Sequence, residues 1–311
     1  MSDPASAPAP ATPPQQAVAL ALGGGGARGL AQIGVIEVLQ AHGLYIEAVA
    51  GTSCGALVGG AFAAGKLELL RDWMCRTSRN EMLRLLDPGL GRPAMFTGSR
   101  LVQTLRALIG EPRIEDLPLD FTAVAVDLYR QREVWLRQGD LWDALRASFA
   151  IPGIFTPLMM GEMALVDGGL LSPLPITAAR LFGSRRVIAV DLNGFPPVRQ
   201  DLPDHERAAL ERAEPGRAEP EPGLLSRWLE MRLGEDSRAG TRQRLGLADV
   251  VARALDTMQG RISRVQLALD PPDLLIQIPR DACLFYEFWR ASELIDIGRR
   301  EAEKALAAAG F

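Results

Sequence analysis

Ala48-Val49-Ala50-Gly51-Thr52-Ser53-Cys54-Gly55 carries an apolar triplet into a serine held between two glycines, and an apolar stretch rich in Ala and Gly, residues 56–64, follows at once. The pattern predicts a strand, a sharp turn and a helix, with the serine at the corner. Gly51 and Gly55 leave room for so tight a corner, which pushes the Ser53 hydroxyl out of the fold. The same corner sets that hydroxyl at a helix N-terminus, where free N–H groups and the helix dipole favour negative charge. A serine in this setting has the makings of a nucleophile.

Upstream, residues 18–22 read as a buried strand. Gly24-Gly25-Gly26-Ala27-Arg28-Gly29 follows it and opens a helix over 29–42. The loop satisfies G-x-G-x-x-G, a dinucleotide pattern that also asks for a ribose-binding acid about 20 residues on. Glu47 lies before the second strand, and that strand ends in the serine corner instead. No Gly-Lys-Ser/Thr follows to make a phosphate loop. The other use of such a loop is an oxyanion hole, in which N–H groups of consecutive glycines converge on a negative oxygen. In a parallel sheet the ends of the first two strands share one edge, which brings Gly24, Gly25 and Gly26 close to Ser53.

A serine nucleophile needs a base. The chain has two histidines. His42 ends the first helix just before Gly43, a capping position, and His205 sits in a Pro-rich, charged stretch. Neither falls late in the chain on a loop after a strand, where a triad histidine belongs. The alternative is a carboxylate. Leu165-Val166-Asp167-Gly168-Gly169 puts Asp167 at a strand end, with two glycines that let backbone pass close to another group. Asp127 and Asp191 also end strands but lack the glycine pair, and read as structural.

The remaining chain alternates strands with helices. Helices are predicted over 67–86, 99–109, 141–148, 249–258 and 292–309, and strands over 121–127, 133–137 (antiparallel to its predecessor), 164–166, 186–191 and 274–278. Alternation of this kind predicts an α/β fold, a three-layer α/β/α sandwich on a mostly parallel central sheet. The Pro-, Ala- and Ser-rich residues 1–16 read as a disordered tail without a secretion signal, and 17–311 as one domain that carries Ser53 and Asp167. Within it, the Pro-, Glu- and Arg-rich residues 194–223 read as a mobile linker or insertion. Residues 224–233 read as a short amphipathic helix, either packed on its own protein or acting as an interfacial lid. The aromatic cluster Phe285-Tyr286-Glu287-Phe288-Trp289 reads as core packing, with a lipid-facing patch as the second reading.

Of the 311 residues 48% are hydrophobic, enough for a sizeable core, and the net charge of −4 supplies no basic field for nucleic acid. Three cysteines, Cys54, Cys75 and Cys283, form no C-x-x-C and suggest neither a disulfide framework nor a metal site, which fits reduced thiols in a cytoplasmic protein. No run of about 18 apolar residues predicts a transmembrane helix.

Gly-Gly-Gly-Ala-Arg-Gly, then Gly-Thr-Ser-Cys-Gly, then Asp-Gly-Gly, in this order, resembles the patatin-like phospholipase family. The segments Ala147-Ser148-Phe149-Ala150-Ile151-Pro152-Gly153-Ile154-Phe155 and Leu171-Ser172-Pro173-Leu174-Pro175 are similar to that family too. The family carries an asparagine near Ser172, so the chain departs from it there. The resemblance spans residues 18–191, more weakly the rest. It implies a patatin-like fold and a Ser–Asp dyad, with Ser53 as nucleophile and Asp167 as general base. The amides of Gly24, Gly25 and Gly26 would form the oxyanion hole, with Arg28, Gly29, Gly51, Gly55, Gly168 and Gly169 as motif positions. Arg28 would hold the loop or meet a lipid phosphate. The implied reaction is hydrolysis of acyl esters of phospholipids, lysophospholipids or other lipids, without a cofactor or metal. The expected location is the cytoplasm, with peripheral contact at the inner membrane surface as a further expectation. Transfer of the acyl group to an alcohol stays open beside hydrolysis. So does a non-catalytic lipid- or protein-binding module on the same fold.

Overall fold

The computed structural model describes residues 17–85, 87, 96–184, 186–194 and 247–310. The 1–16 tail, the insertion from 195 on, the 224–233 helix, His205 and most of the 87–97 loop lie outside the described residues.

Among the described residues, eight strands form one sheet: β1 Ala17–Leu22, β2 Tyr45–Thr52, β3 Asp120–Asp127, β4 Arg132–Leu136, β5 Leu158–Met160, β6 Met163–Asp167, β7 Val187–Gly194 and β8 Leu274–Pro279. The order is β5-β6-β3-β2-β1-β7-β8, with β4 also paired to β3. Neighbours from β3 through β8 are parallel, whereas β4, β5 and β6 add antiparallel pairs. The helices are α1 Ala31–Ala41, α2 Cys54–Ala63, α3 Leu67–Arg76, α4 Arg79–Leu85, α5 Ser99–Ile109, α6 Leu141–Ser148, α7 Ile176–Arg180, α8 Leu247–Leu269 and α9 Ala291–Ala309. The result is the expected α/β sandwich with a mostly parallel sheet.

The strand alternation explains why the two faces differ. Val18, Leu20 and Leu22 of β1 enter the large core shared with α1, α2, α6 and α9. Ala19 and Ala21 face the other way, with Ala48 and Ala50 of β2, into a thin core against α7. Side chains two apart share one face of a strand, so one face receives bulk and the other receives methyl groups. The alanine face lets a five-residue helix lie close to the sheet.

Two predicted helices differ from their spans, and two short elements were not predicted. The helix predicted over 67–86 is two helices, broken at Thr77 and Ser78. Ser78 and Glu81 form a reciprocal capping box: the Glu81 carboxylate accepts from the Ser78 N–H at 2.8 Å, and the Ser78 hydroxyl accepts from the Glu81 N–H at 3.4 Å. The helix predicted over 249–258 continues past Gly260 to Leu269, with Gly260 buried against Asn193 of β7 and Ser263 donating to Asp191 of the same strand, so packing on the sheet holds the helix through its glycine. The short elements β5 and α7 are absent from the sequence reading, since three to five residues hold too little periodicity to register.

Candidate active site

The site is built on one edge of β3. Its register pairs Thr52 of β2 with Val124, and Asp167 of β6 with the next residue, Ala125. β4 occupies the opposite edge of β3 over Ala123–Asp127, which leaves β2 and β6 to share this one. The two run in opposite directions and therefore meet end to end. Ser53 follows the last residue of β2, and Asp167 is the last of β6, so residues 114 positions apart face one another.

Ser53 is buried and holds φ 56° and ψ −124°, a conformation costly for a residue with a Cβ. Neighbouring groups impose it. Its N–H donates to the Ser148 hydroxyl at 2.9 Å, and that hydroxyl donates to the Val124 carbonyl at 2.6 Å. Thr52 Oγ1 donates to the Ser172 carbonyl at 2.8 Å. The Ser53 carbonyl accepts the first intrahelical bond of α2, from Leu57. The N–H groups of the first turn of α2 therefore point toward Ser53 without intrahelical partners.

Asp167 is 2% exposed. Its N–H donates to the Ala150 carbonyl, and Oδ1 accepts from Gly169 N–H at 2.7 Å. Burial pushes its carboxyl up from 3.8 to about 6, against the hydrogen bonds of the Ser53 side chain and of the Gly169 N–H, which favour the charged form. The Cys54 thiol next to Ser53 is pushed up to about 12, chiefly by burial, and stays a thiol at neutral pH.

The glycine loop lies alongside. It is fixed from both sides: the Gly23 carbonyl accepts from Gln32 Nε2 at 2.7 Å, the Gly25 carbonyl from Arg28 Nε at 3.2 Å, and Ala27 N–H donates to the Phe285 carbonyl at 2.8 Å. Gly26 has φ +59°, and a Cβ there would overlap Phe285. Gly24 N–H donates to the Pro173 carbonyl at 2.8 Å, so its single proton is engaged in this arrangement. The N–H groups of Gly25 and Gly26 have no protein acceptor among the described residues.

Arg28 is buried and all its contacts are internal. Besides the Gly25 carbonyl it donates to the Arg280 carbonyl at 3.0 Å and pairs with Asp256 of α8, which also takes Arg280 at 3.0 Å. Gly29, Gly51, Gly55 and Gly168 sit at close backbone or side-chain approaches around the corner, and Gly169 beside Gln259 of α8. Leu255, Asp256 and Gln259 thus roof a narrow cleft whose walls include Ser53, Asp167, Ile151, Ile154 and Phe285. Of the aromatic cluster, Phe285 lines this cleft, while Trp289 stacks under Arg79. His42 is elsewhere: it ends α1, at the opposite end of the sheet from Ser53, and pairs with Glu303 of α9 at 3.0 Å. Asp127 and Asp191 hold turn amides, of Tyr129 and Asn193, at 3.1 Å each. Among the described residues, no group of three His, Cys, Asp or Glu side chains is placed to hold a metal ion.

Four contributors were not singled out as site residues in the sequence reading: Ser148, Gln32, Asp256 and Phe285. A glutamine near the start of an otherwise apolar helix was a visible signal for Gln32. Phe285 stands out only as part of an aromatic cluster and Ser148 only within a segment similar to the family, while Asp256 leaves no local pattern; the partners of all three lie far away in the chain.

Comparison with known proteins bears on this geometry. The sequence pattern described as Patatin-like phospholipase matches residues 20–180, a stretch that holds the glycine loop, Ser53 and Asp167. An uncharacterized NTE family protein of Mycobacterium tuberculosis is 36% identical over 94% of this chain and 91% of its own length. Patatin-like phospholipase domain-containing protein 6 of Homo sapiens is 34% identical over 56% of this chain, a match that takes in 13% of that much longer protein. The solved structure of VipD from Legionella pneumophila aligns with 96% of this chain and 67% of its own, at TM-score 0.47 and 12% identity.

Proposed function

The chain belongs to the patatin-like phospholipase family, and from that membership we propose that it is a serine lipid acyl hydrolase working through a Ser53–Asp167 dyad. Ser53 Oγ attacks the ester carbonyl while Asp167 takes its proton. The negative oxygen that forms is met by the N–H groups of Gly25 and Gly26 and by the N-terminus of α2. The intermediate collapses, the alcohol leaves with the proton held by Asp167, and an acyl group remains on Ser53. Water then enters, gives its proton to Asp167 and releases the fatty acid, with Ser53 recovering its proton. An alcohol in place of water would give acyl transfer by the same steps.

The observation that carries this reading is the end-to-end meeting of β2 and β6 on β3, which sets a strained serine against a buried carboxylate. A carboxyl raised to about 6 is a better base for a hydroxyl than an ordinary aspartate, and it remains largely ionised at pH 7. The substrate class proposed is acyl esters of phospholipids, lysophospholipids or other lipids. It rests on family membership and on the apolar walls Ile151, Ile154, Leu255 and Phe285.

A fluorophosphonate probe tests the chemistry. The folded wild type should be labelled on Ser53, and Ser53→Ala should not be labelled. Asp167→Asn should cut hydrolysis of a short-chain ester by about a thousandfold or more, in line with loss of a general base and its electrostatic setting. Failure of the folded wild type to label at Ser53 would hand the fold to a non-catalytic lipid- or protein-binding role.

A further inference from the structure

The roof of the cleft has a second face. The inner side of α8 carries Leu255, Asp256 and Gln259 onto the site, and Ser263 onto Asp191 of β7. On its outer side Val250, Met258, Val265 and Leu269 are 45%, 50%, 46% and 81% exposed. With Ala254, they fall four or seven residues apart, a spacing that stacks side chains in one stripe along a helix. Beside the stripe stand the exposed arginines Arg253, Arg261 and Arg264. Arg253 and Arg261 have no acidic partner among the described residues, and Arg264 Nε donates to the Gly260 carbonyl of its own helix. Between Val250 and Leu269 the one acidic residue is Asp256, which is turned inward onto Arg28 and Arg280. A chain of net charge −4 thus collects cations and aliphatic side chains together on the outside of the helix that covers its candidate active site.

We infer that the outer face of α8 is a docking surface for an anionic lipid bilayer. An apolar stripe flanked by arginines is the composition that lies in a membrane interface: the aliphatic groups enter the acyl boundary while the guanidinium groups stay among anionic headgroups. The charge match selects this occupant. The chain as a whole is repelled by an anionic surface, and this face reverses the sign locally. The side chain of Leu171 adds exposed apolar area on the turn that follows Asp167-Gly168-Gly169. The inference rests on the lipid substrate proposed above and gives it a geometry: the helix that touches the bilayer is the one that roofs Ser53.

The test is flotation of the full chain with vesicles of phosphatidylserine and phosphatidylcholine, against vesicles of phosphatidylcholine alone. The wild type should float with the anionic vesicles and be released by high salt. Arg253→Glu combined with Arg261→Glu, and separately Met258→Ser combined with Val265→Ser, should each lower the bound fraction about tenfold or more, as expected for charges and apolar groups at the contact. Both variants should hydrolyse a soluble short-chain ester at the wild-type rate, which shows that they are folded with the site intact. Ser53→Ala should float like the wild type, so this readout stands even if the hydrolase assignment fails. A wild type that stays in solution with anionic vesicles overturns the inference. So do variants that float as well as the wild type, or a wild type that self-associates through this face without floating.

Discussion

Ser53 and Asp167 are both held in states that cost free energy. The serine keeps a backbone conformation that favours glycine, and the aspartate keeps a carboxyl away from water. The carboxyl gives two measurable consequences. As a base it must be ionised, so kcat/KM on a soluble ester should fall tenfold per pH unit below about 6, and Asp167→Asn should leave no such limb. Its stability effect has the opposite sign to that of a salt-bridged aspartate. The folded carboxyl titrates near 6 and the unfolded one near 3.8, so the folded state holds the extra proton between those values. Stability therefore drops as pH rises from about 4 to 6, and the loss persists above. Asp167→Asn removes it: chemical denaturation at pH 8 should find the variant more stable by about 3 kcal/mol, with the gap closing toward pH 4. Equal stability at both pH values would show the carboxyl to be unperturbed.

The elements matter through what they hold still. β2 and β6 end at Val124 and Ala125 of β3, and the Ser148 hydroxyl at the end of α6 joins the Ser53 N–H to the Val124 carbonyl at that junction. Ser148→Ala leaves a buried donor and a buried acceptor without partners. It should cost about 1–3 kcal/mol in stability. Turnover should fall about ten- to a hundredfold under conditions where the variant is fully folded, because the nucleophile loses the bond that orients it. A variant as active as the wild type would mean the corner is fixed by its glycines alone. Much of this element was legible beforehand. The corner at Ser53, the glycine loop and Asp-Gly-Gly are local patterns whose residue types are dictated by tight backbone, and they stand where they were predicted. The engagement of Gly24 by Pro173 was not legible, since it depends on a segment 149 residues away.

Across the whole molecule, α1 and α9 close the thick face of the sheet by backbone contact. Gly34 of α1 faces the Ile295 carbonyl and the Arg299 N–H, and Gly298 of α9 faces the Ala31 carbonyl. No side chain fits between them. Gly34→Val should force the helices apart and lower stability by about 2–3 kcal/mol, read as a lower denaturant midpoint. The folded fraction should hydrolyse a short-chain ester at the wild-type rate, because this packing lies beneath α1 rather than at the cleft. A loss of activity beyond the loss of folded protein would show that the thick face is coupled to the site. The end of α8 belongs to this scale as well. The span predicted from local pattern stops at 258, whereas the helix runs on to Leu269, where Ser263 is anchored on Asp191 of β7.

Residue types that tight backbone geometry demands are written locally. The sequence alone therefore determined the strand–serine–helix corner, the glycine loop, the Asp-Gly-Gly turn and the α/β class. Tertiary structure decided which of these meet and which protons stay free. It joined two strand ends on one edge of β3, used up the Gly24 N–H, turned Arg28 inward to Asp256 and drew α8 over the cleft. Those outcomes depend on register and on contacts between residues far apart in the chain, and no window of neighbouring residues carries that information.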